Sequence, residues 1–311
     1  MMKASLIANS RMQGVEAKGL LRAHKWWLLR RLSQASALLV FMLGPIAGIW
    51  IVRGNFASSE LLGTIPLSDP FIALQSIAAG NTPTALALIG AGTIVLLYVI
   101  VGGRAYCGWV CPVNVVTDTA DWLREKLGIT RDRKLDRRTR VLIMLCALLG
   151  SIFTGTIAWE MINPVSILQR GLIFGMGAGW FVVLAVFLLD LFVTRRGWCS
   201  HICPVGAFYG VIGRASVVRV AATRRESCTN CGACFRVCPE PQIISPALHG
   251  SGTRVVDSGA CLNCGGCIDA CPVDVFEMST RWSSHRSPAR DTPVAAPASN
   301  KKSRDPVKLS G

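Results

Sequence analysis

Eight of the thirteen cysteines follow one spacing that occurs twice near the carboxyl end of the chain. Both copies read C-x2-C-x2-C-x3-C-P, and their cysteines are Cys228, Cys231, Cys234 and Cys238, then Cys261, Cys264, Cys267 and Cys271. Structural zinc sites use two separated pairs of cysteines rather than three close cysteines and a fourth. Disulfides are rare on the cytoplasmic side of a membrane, where the charge pattern described below places this region. The spacing therefore predicts that the chain folds around thiolate-bound iron.

This spacing is typical of bacterial ferredoxin domains with two [4Fe-4S] clusters, in which the fourth cysteine of each copy ligates the other cluster. We therefore expect a small α+β domain over residues 214–282 that holds two clusters with crossed ligands. Gly232, Gly265 and Gly266 leave room for the backbone to approach the inorganic sulfur. The predicted ligands are Cys228, Cys231, Cys234 and Cys271 for cluster 1, and Cys261, Cys264, Cys267 and Cys238 for cluster 2.

The chain before this domain is apolar. Hydrophobic residues make up 51% of the sequence and charged residues only 16%, against about 25% charged residues in a typical soluble chain. A hydrocarbon core about 30 Å thick needs roughly 20 apolar residues of helix. We predict a mainly α membrane domain over residues 32–213, after a basic segment 1–31, with a disordered tail over residues 283–311. Its four transmembrane helices are predicted at about residues 32–52, 84–101, 141–159 and 172–193.

The basic residues alternate along the chain in step with these predicted helices. There are seven before the first helix, then one, nine, one and fifteen in the following segments. Short basic segments stay in the cytoplasm, so both termini are expected inside, in a multi-pass protein of the bacterial inner membrane. The net charge of +15 then reflects the membrane topology, and the basic residues also attract membrane lipid. Nucleic acid is not an expected partner.

The predicted membrane domain contains an internal repeat, which makes it two hairpins of one design. The motif C-x3-C-P-V follows the second and the fourth predicted helix, with an offset of 92 residues. Its cysteines are Cys107, Cys111, Cys199 and Cys203. Four converging thiolates are expected to hold a further iron–sulfur cluster or another thiophilic metal, or to act as redox thiols. The alternative is that each C-P marks a helix end and packs its cysteine as a small apolar residue.

A second motif, [DN]-P-x3-L-Q, recurs with an offset of 94 residues on the opposite side of the predicted membrane. It ends in Gln75 and Gln169, which we predict to line a quinol or partner site, because such a site needs groups that hydrogen-bond the ring oxygens. The alternative is a helix start, with Asp69 and Asn163 as N-caps before a proline in the first turn.

With these motifs in place, the sequence resembles the NapH/MauN family of membrane ferredoxin-type quinol dehydrogenase subunits. The resemblance covers residues 26–278 and rests on the four predicted helices, the two C-x3-C-P motifs and the two cluster motifs. The runs at residues 22–27, 44–55 and 66–70 are most similar to NapH, the subunit of the periplasmic nitrate reductase system.

The resemblance implies oxidation of a membrane quinol by a subunit of a quinol dehydrogenase. Electrons would pass with an iron–sulfur partner subunit and a c-type cytochrome toward a periplasmic nitrate reductase. The alternatives are the equivalent subunit of a methylamine dehydrogenase system, or an assembly factor for a respiratory metalloenzyme. A catalytic residue is not identified from the sequence.

Overall fold

The computed structural model describes residues 18–129, 136–175, 177–250 and 252–282. The predicted tail over residues 283–311 and the first part of the predicted basic segment lie outside the described residues. Thirteen α-helices occur within the described ranges. They are α1 (Leu20–Ala23), α2 (Lys25–Ala47), α3 (Pro70–Ala78), α4 (Ala85–Val101), α5 (Ala105–Trp109), α6 (Val113–Lys126), α7 (Arg138–Thr154), α8 (Pro164–Phe174), α9 (Trp180–Leu188), α10 (Pro204–Ile212), α11 (Ala233–Val237), α12 (Ser245–His249) and α13 (Gly266–Ala270).

In the part of the chain that the structure describes, five short strands form two antiparallel sheets. The first sheet contains β1 (Val52–Gly54), β2 (Ser58–Leu61) and β3 (Ile65–Ser68), and the second contains β4 (Val218–Ala221) and β5 (Glu277–Thr280). In the second sheet Val218 pairs with Thr280 and Ala221 with Glu277. The strands β4 and β5 therefore bracket both cluster motifs and close that part of the chain into one unit.

The repeated [DN]-P-x3-L-Q motif starts two equivalent helices. The Asp69 side chain accepts a hydrogen bond from the Phe71 N–H at 2.9 Å at the start of α3. Asn163 accepts one from the Val165 N–H at 3.1 Å at the start of α8. Each is followed by a proline, whose missing N–H costs nothing in the first turn. The interpretation of this motif as a helix start is therefore confirmed.

The prediction of four transmembrane helices is wrong: across the described ranges, no helix combines the length and the apolarity that a membrane crossing requires. The helix that overlaps the first predicted span begins in the basic residues at Lys25 and ends at Ala47, where Gly48 adopts a left-handed conformation. The second is limited to 17 residues by Gly102, with φ of 126°.

The other two predicted spans end for similar reasons. The helix over the third begins at Arg138 and stops before left-handed Gly155, so it also has 17 residues. The fourth is divided, because α8 ends at Gly175, α9 has nine residues, and a π-helical turn follows from Leu189 to Val193. Hydropathy averaged over a window detects neither the glycines that end these helices nor the π-helical turn.

Two apolar clusters lie on either side of the junction between the helical part and the strand-bracketed part. The first contains Phe71, Tyr98 and Tyr209 together with Cys107 and Cys111 of the first C-x3-C-P motif. The second surrounds the cluster motifs and includes Val220, Val256 and Phe276. Leu262 of the second cluster motif packs in the first apolar cluster, so the two parts share a buried interface.

Candidate iron–sulfur centres

The eight cysteines of the two cluster motifs fall into two groups in space. Burial raises the pKa of Cys234, and nearby cysteines raise it further. These are Cys231 and Cys228 of its own copy and Cys271 of the other copy. Likewise, burial first and then Cys264 and Cys261 raise the pKa of Cys238. The last cysteine of each copy thus lies beside the first three of the other copy. We call Cys228, Cys231, Cys234 and Cys271 group A, and Cys238, Cys261, Cys264 and Cys267 group B.

The residues of group B fit a cluster because all four line one small enclosed cavity. The rest of its wall includes the apolar residues Val220, Ile243, Ile244 and Val256. Among the described residues, no three His, Cys, Asp or Glu side chains are arranged to hold a single metal ion. Four thiols around an apolar cavity match the donor set of a [4Fe-4S] cluster.

In group A, backbone N–H groups point at the sulfur atoms. The Asn230 N–H donates to Cys228 Sγ at 3.4 Å, and the Val275 N–H donates to Cys271 Sγ at the same distance. Such donors stabilise a thiolate and tune the potential of a cluster that it binds. The loop that supplies the Asn230 N–H turns at Gly232, which has φ of 71° and is the N-cap of α11.

The two C-x3-C-P motifs bring their four cysteines together. Burial raises the pKa of the Cys199 thiol, and Cys111, Cys203 and Cys107 contribute through their proximity. We call Cys107, Cys111, Cys199 and Cys203 the cysteine quartet. Burial, and then Cys107, raises the pKa of Cys203 to about 12, while the Gly206 and Val205 N–H groups act in the opposite direction. The N–H groups that follow each C-P therefore face sulfur, as they do beyond Cys271 in group A.

The quartet and group B are in direct contact. A Cβ atom placed on Gly108 would lie 3.4 Å from the Leu262 carbonyl oxygen and 3.7 Å from Cβ of Cys264. The indole N–H of Trp109, inside the first C-x3-C-P motif, donates to the Asn263 carbonyl at 3.1 Å. The two cysteine-bearing loops therefore approach each other at position 108 and are joined by the hydrogen bond from Trp109.

A fully buried arginine connects the same two groups. Arg104 has 0% side-chain exposure and donates through Nη2 to the Cys199 carbonyl at 2.8 Å. Through Nη1 it donates to the Ala260 carbonyl and to the Glu240 carboxylate, both at 3.1 Å. Burial would lower the pKa of Arg104, but the neighbouring Cys107 and Glu240 raise it, so the guanidinium stays charged.

The equivalent arginine in the second repeat, Arg196, lies on another side of group B. It pairs with Asp118 at 2.9 Å and with Asp121 at 3.2 Å. Burial opposes its charge, but these two carboxylates and then Cys264 outweigh burial and raise its pKa. Arg196 also acts on Cys238, where it lowers the thiol pKa against the effect of burial.

Gln75 and Gln169 are buried and join the two repeats reciprocally. Gln75, on α3 of the first unit, accepts hydrogen bonds from the Trp159 N–H at 3.1 Å and the Ser151 hydroxyl at 3.2 Å in the second unit. Gln169, on α8 of the second unit, accepts one from the Phe56 N–H at 3.0 Å in the first. Nearby, burial raises the pKa of Asp69 to about 7, although the Phe71 N–H stabilises its charged form. The role of both glutamines at a quinol or partner site stays a prediction.

The residues that sequence analysis did not identify are Arg104, Arg196 and Glu240. A signal for the arginines was present, because each stands three positions before the first cysteine of a C-x3-C-P motif. Glu240 follows Cys238 and Pro239 and has no counterpart after Cys271 and Pro272, so no repeat pointed to it.

Comparisons with known proteins agree with this arrangement. A 4Fe-4S binding domain family matches residues 84–130, which include Cys107 and Cys111. Two 4Fe-4S dicluster domain families match residues 227–275 and 195–244. Three iron–sulfur domain matches thus replace the predicted division into a four-helix membrane part and one two-cluster domain. The chain is a ferredoxin-type protein that binds iron–sulfur clusters and transfers electrons.

The particular family follows from its curated relatives. The methylamine utilisation ferredoxin-type protein MauN of Methylorubrum extorquens is 70% identical over 91% of this chain and 99% of its own length. MauN of Paracoccus denitrificans is 64% identical over 89% of this chain and 98% of its own length. The ferredoxin-type protein NapH of Escherichia coli is 47% identical over 88% and 95%. The chain belongs to the NapH/MauN family, and no solved structure matches it.

Proposed function

We propose that this protein accepts electrons from a quinol and passes them through bound iron–sulfur clusters to a partner of a periplasmic oxidoreductase system. The observation that carries the proposal is the succession of three contacting cysteine groups. Cys234 of group A lies near Cys267 of group B, and the loop of group B contacts the first quartet loop through the hydrogen bond from Trp109 to the Asn263 carbonyl. Such a succession suits electron transfer in single steps over short distances.

We propose two [4Fe-4S] clusters, held by group A and group B, and a third cluster in the quartet. When bound, each cluster supplies a one-electron redox centre. The quartet proposal is supported by the match of a 4Fe-4S binding domain over residues 84–130 and by the buried convergence of its four thiols. Redox thiols at the same four positions are the alternative, and iron analysis of variants separates the two.

The system served is proposed to be methylamine utilisation, with nitrate reduction as the alternative. The MauN relatives are 70% and 64% identical to the chain, whereas NapH of Escherichia coli is 47% identical. The proposed partners are an iron–sulfur subunit and a c-type cytochrome. Growth on methylamine or by nitrate respiration after deletion of the gene distinguishes the two systems.

We further propose that the protein is located at the bacterial inner membrane, with both termini on the cytoplasmic side. Large apolar side chains on α4 are exposed, among them Leu86 at 61%, Ile89 at 60% and Leu96 at 63%. Contact with lipid would remove these side chains from water. Fractionation of cells followed by flotation tests the location, and recovery in the soluble fraction at physiological salt would contradict it.

The central experiment is an anaerobic titration of the purified protein with a quinol, followed by EPR. Reduction of the iron–sulfur signals by quinol is the expected result. The double variant Cys199→Ala/Cys203→Ala should lose the iron of the third cluster and retain the signals of groups A and B. Its control is Cys146→Ala, because Cys146 is exposed on α7 and lies outside all three groups. Reduction by dithionite but never by quinol would overturn the proposal.

A further inference from the structure

A wide cleft lies between the N-terminal helices, α6 and the second cluster motif. Its volume is about 510 Å³, and polar and apolar groups contribute comparably to its lining. Ligand pockets of small redox molecules and drugs are typically about 300–1,000 Å³. The wall includes Trp27, Trp122, Arg31, Asp118, Thr119 and Cys264. Neither glutamine predicted from the sequence to contact quinol lines this cleft.

The cleft reaches the edge of group B. Cys264 lines both this cleft and the enclosed cavity that contains all four group B cysteines. Gly265 belongs to the cavity and Gly266 to the cleft. Cys264 is therefore the group B cysteine that borders the cleft. A ring in this cleft would lie beside a cysteine of group B.

The walls offer both aromatic surface and charged groups, which an amphipathic aromatic ring requires. Trp27 and Trp122 are 49% and 50% exposed, and Lys126 Nζ lies 4.1 Å from the centre of the Trp122 ring, so it covers one face of that ring. The Arg31 guanidinium carbon lies 5.7 Å from the centre of the Trp27 ring. Deeper in, Arg30, Arg31 and Arg196 surround the Asp118 carboxylate. At the rim, Val115 is 38% exposed, which suits the apolar tail of a quinol.

We infer that this cleft binds the ring of the quinol, between the two tryptophans and beside Cys264. The inference rests on the proposed function and specifies where the donor binds. Oxidation of one quinol to quinone releases two electrons and two protons. With clusters bound, group B would hold the first acceptor, two [4Fe-4S] centres would take up one electron each, and both protons would pass to water at the cleft mouth.

The test fills the cleft with a new side chain. Thr119→Trp places an indole in it, at an exposed position whose hydroxyl donates to the Val115 carbonyl of its own helix at 2.7 Å. The matched control is Thr93→Trp on α4, an exposed threonine with the same hydrogen bond, to the Ile89 carbonyl at 2.9 Å. The probe is a short-chain quinone, and binding to the cluster-loaded protein is measured by quenching of tryptophan fluorescence and by photolabelling with an azidoquinone.

The expected results are labelling of the segment around Trp122, at least tenfold weaker binding in Thr119→Trp, and less than a twofold change in Thr93→Trp. Thr119→Trp should also lose reduction by quinol while dithionite still reduces its clusters. Wild-type binding without labelling in the cleft, or full quinol reduction of Thr119→Trp, would overturn the inference and leave the proposed function standing. Conversely, labelling in the cleft of a protein whose clusters quinol never reduces would support the binding site and overturn the electron transfer.

Discussion

Neutralising Glu240 should destabilise the protein strongly. Its side chain is 0% exposed and faces Arg104, Arg137 and Arg140, each at 3.1 Å. Burial alone would raise the pKa of Glu240, but Arg104 first, then Arg140, Gln242 and Arg137 hold it below its ordinary value. Glu240→Gln preserves the shape of the side chain and removes the charge that balances these guanidinium groups.

The magnitude follows from the burial of each partner. Removing one member of a buried ion pair costs about 3–5 kcal/mol, because the other charge is left without compensation. Arg104 is 0% exposed and bears this full cost, whereas Arg140 at 13% and Arg137 at 41% retain contact with solvent. We therefore expect a loss of about 3–5 kcal/mol rather than a multiple of it. At about 2–4 °C per kcal/mol, the melting temperature should fall by about 6–20 °C.

The assay is anaerobic thermal unfolding of the cluster-loaded protein, followed by circular dichroism. The matched control is Glu226→Gln, because Glu226 is 62% exposed and pairs with Arg254 at 2.7 Å. An exposed ion pair contributes about 0–1 kcal/mol, so the control should melt within about 4 °C of the wild type. If Glu240→Gln also melts within that range, the buried charges do not hold the junction together and the reasoning is refuted.

Three further predictions use matched positions in the chain. Gly265→Ala should cost about 2–5 kcal/mol of stability, because its φ is 71° and an added Cβ would lie 2.3 Å from a tryptophan ring of α2. Gly232→Ala, at the equivalent and uncrowded position, should cost about 1–2 kcal/mol. Equal melting temperatures of the two variants would contradict this difference. Gln75→Leu and Gln169→Leu should each cost about 1–3 kcal/mol in urea unfolding, because each leaves one backbone donor unpaired, the Trp159 N–H and the Phe56 N–H respectively. The Ser151 hydroxyl keeps its bond to the Ala147 carbonyl, and an unchanged unfolding midpoint in either variant would contradict this prediction. Burial opposes the charge of Asp118, but the surrounding arginines lower its pKa. The ionised carboxylate therefore stabilises the folded protein fully above pH 3.8, and this stabilisation is lost as the pH falls through the folded-state pKa. Asp118→Asn should lower the melting temperature more at pH 7 than at pH 3.5.

The local chemistry was predictable from the sequence because it is encoded in short spacings. Asp69 and Asn163 cap their helices as a polar residue before proline should. The repeat placed the quartet cysteines at equivalent positions, and in the structure they converge. Within each motif the residues lie within a few positions of one another, so the spacing defines the local geometry, and the repeat relates the two motifs that converge.

The helix lengths were not predictable in the same way. The predicted span 172–193 contains Asp190 as its one charged residue, yet Gly175 ends one helix and a π-helical turn at Leu189 ends the next. Left-handed glycines at positions 48 and 155 likewise end two other helices. A glycine within an apolar run is compatible with either a continuous or a broken helix, and tertiary packing decides between them.

The two repeats are equivalent in sequence but take different roles around group B, and this difference explains why Glu240 is required. Arg104 and Arg196 occupy matching positions, and both act on group B cysteines, Arg104 on Cys261 and Arg196 on Cys264. Arg196 obtains its counterions, Asp118 and Asp121, from α6 in the first repeat.

Among the described residues, Arg104 has no acidic partner of that kind from the second repeat, where α10 is the corresponding helix and carries no charged residue. Its counterion comes instead from Glu240, in the loop after the last cysteine of the first cluster motif. A buried guanidinium without a carboxylate would be very costly. The repeated arginine in the helical part is therefore stable only once the cluster-binding part has docked, so that this one ion pair couples the folding of the two parts.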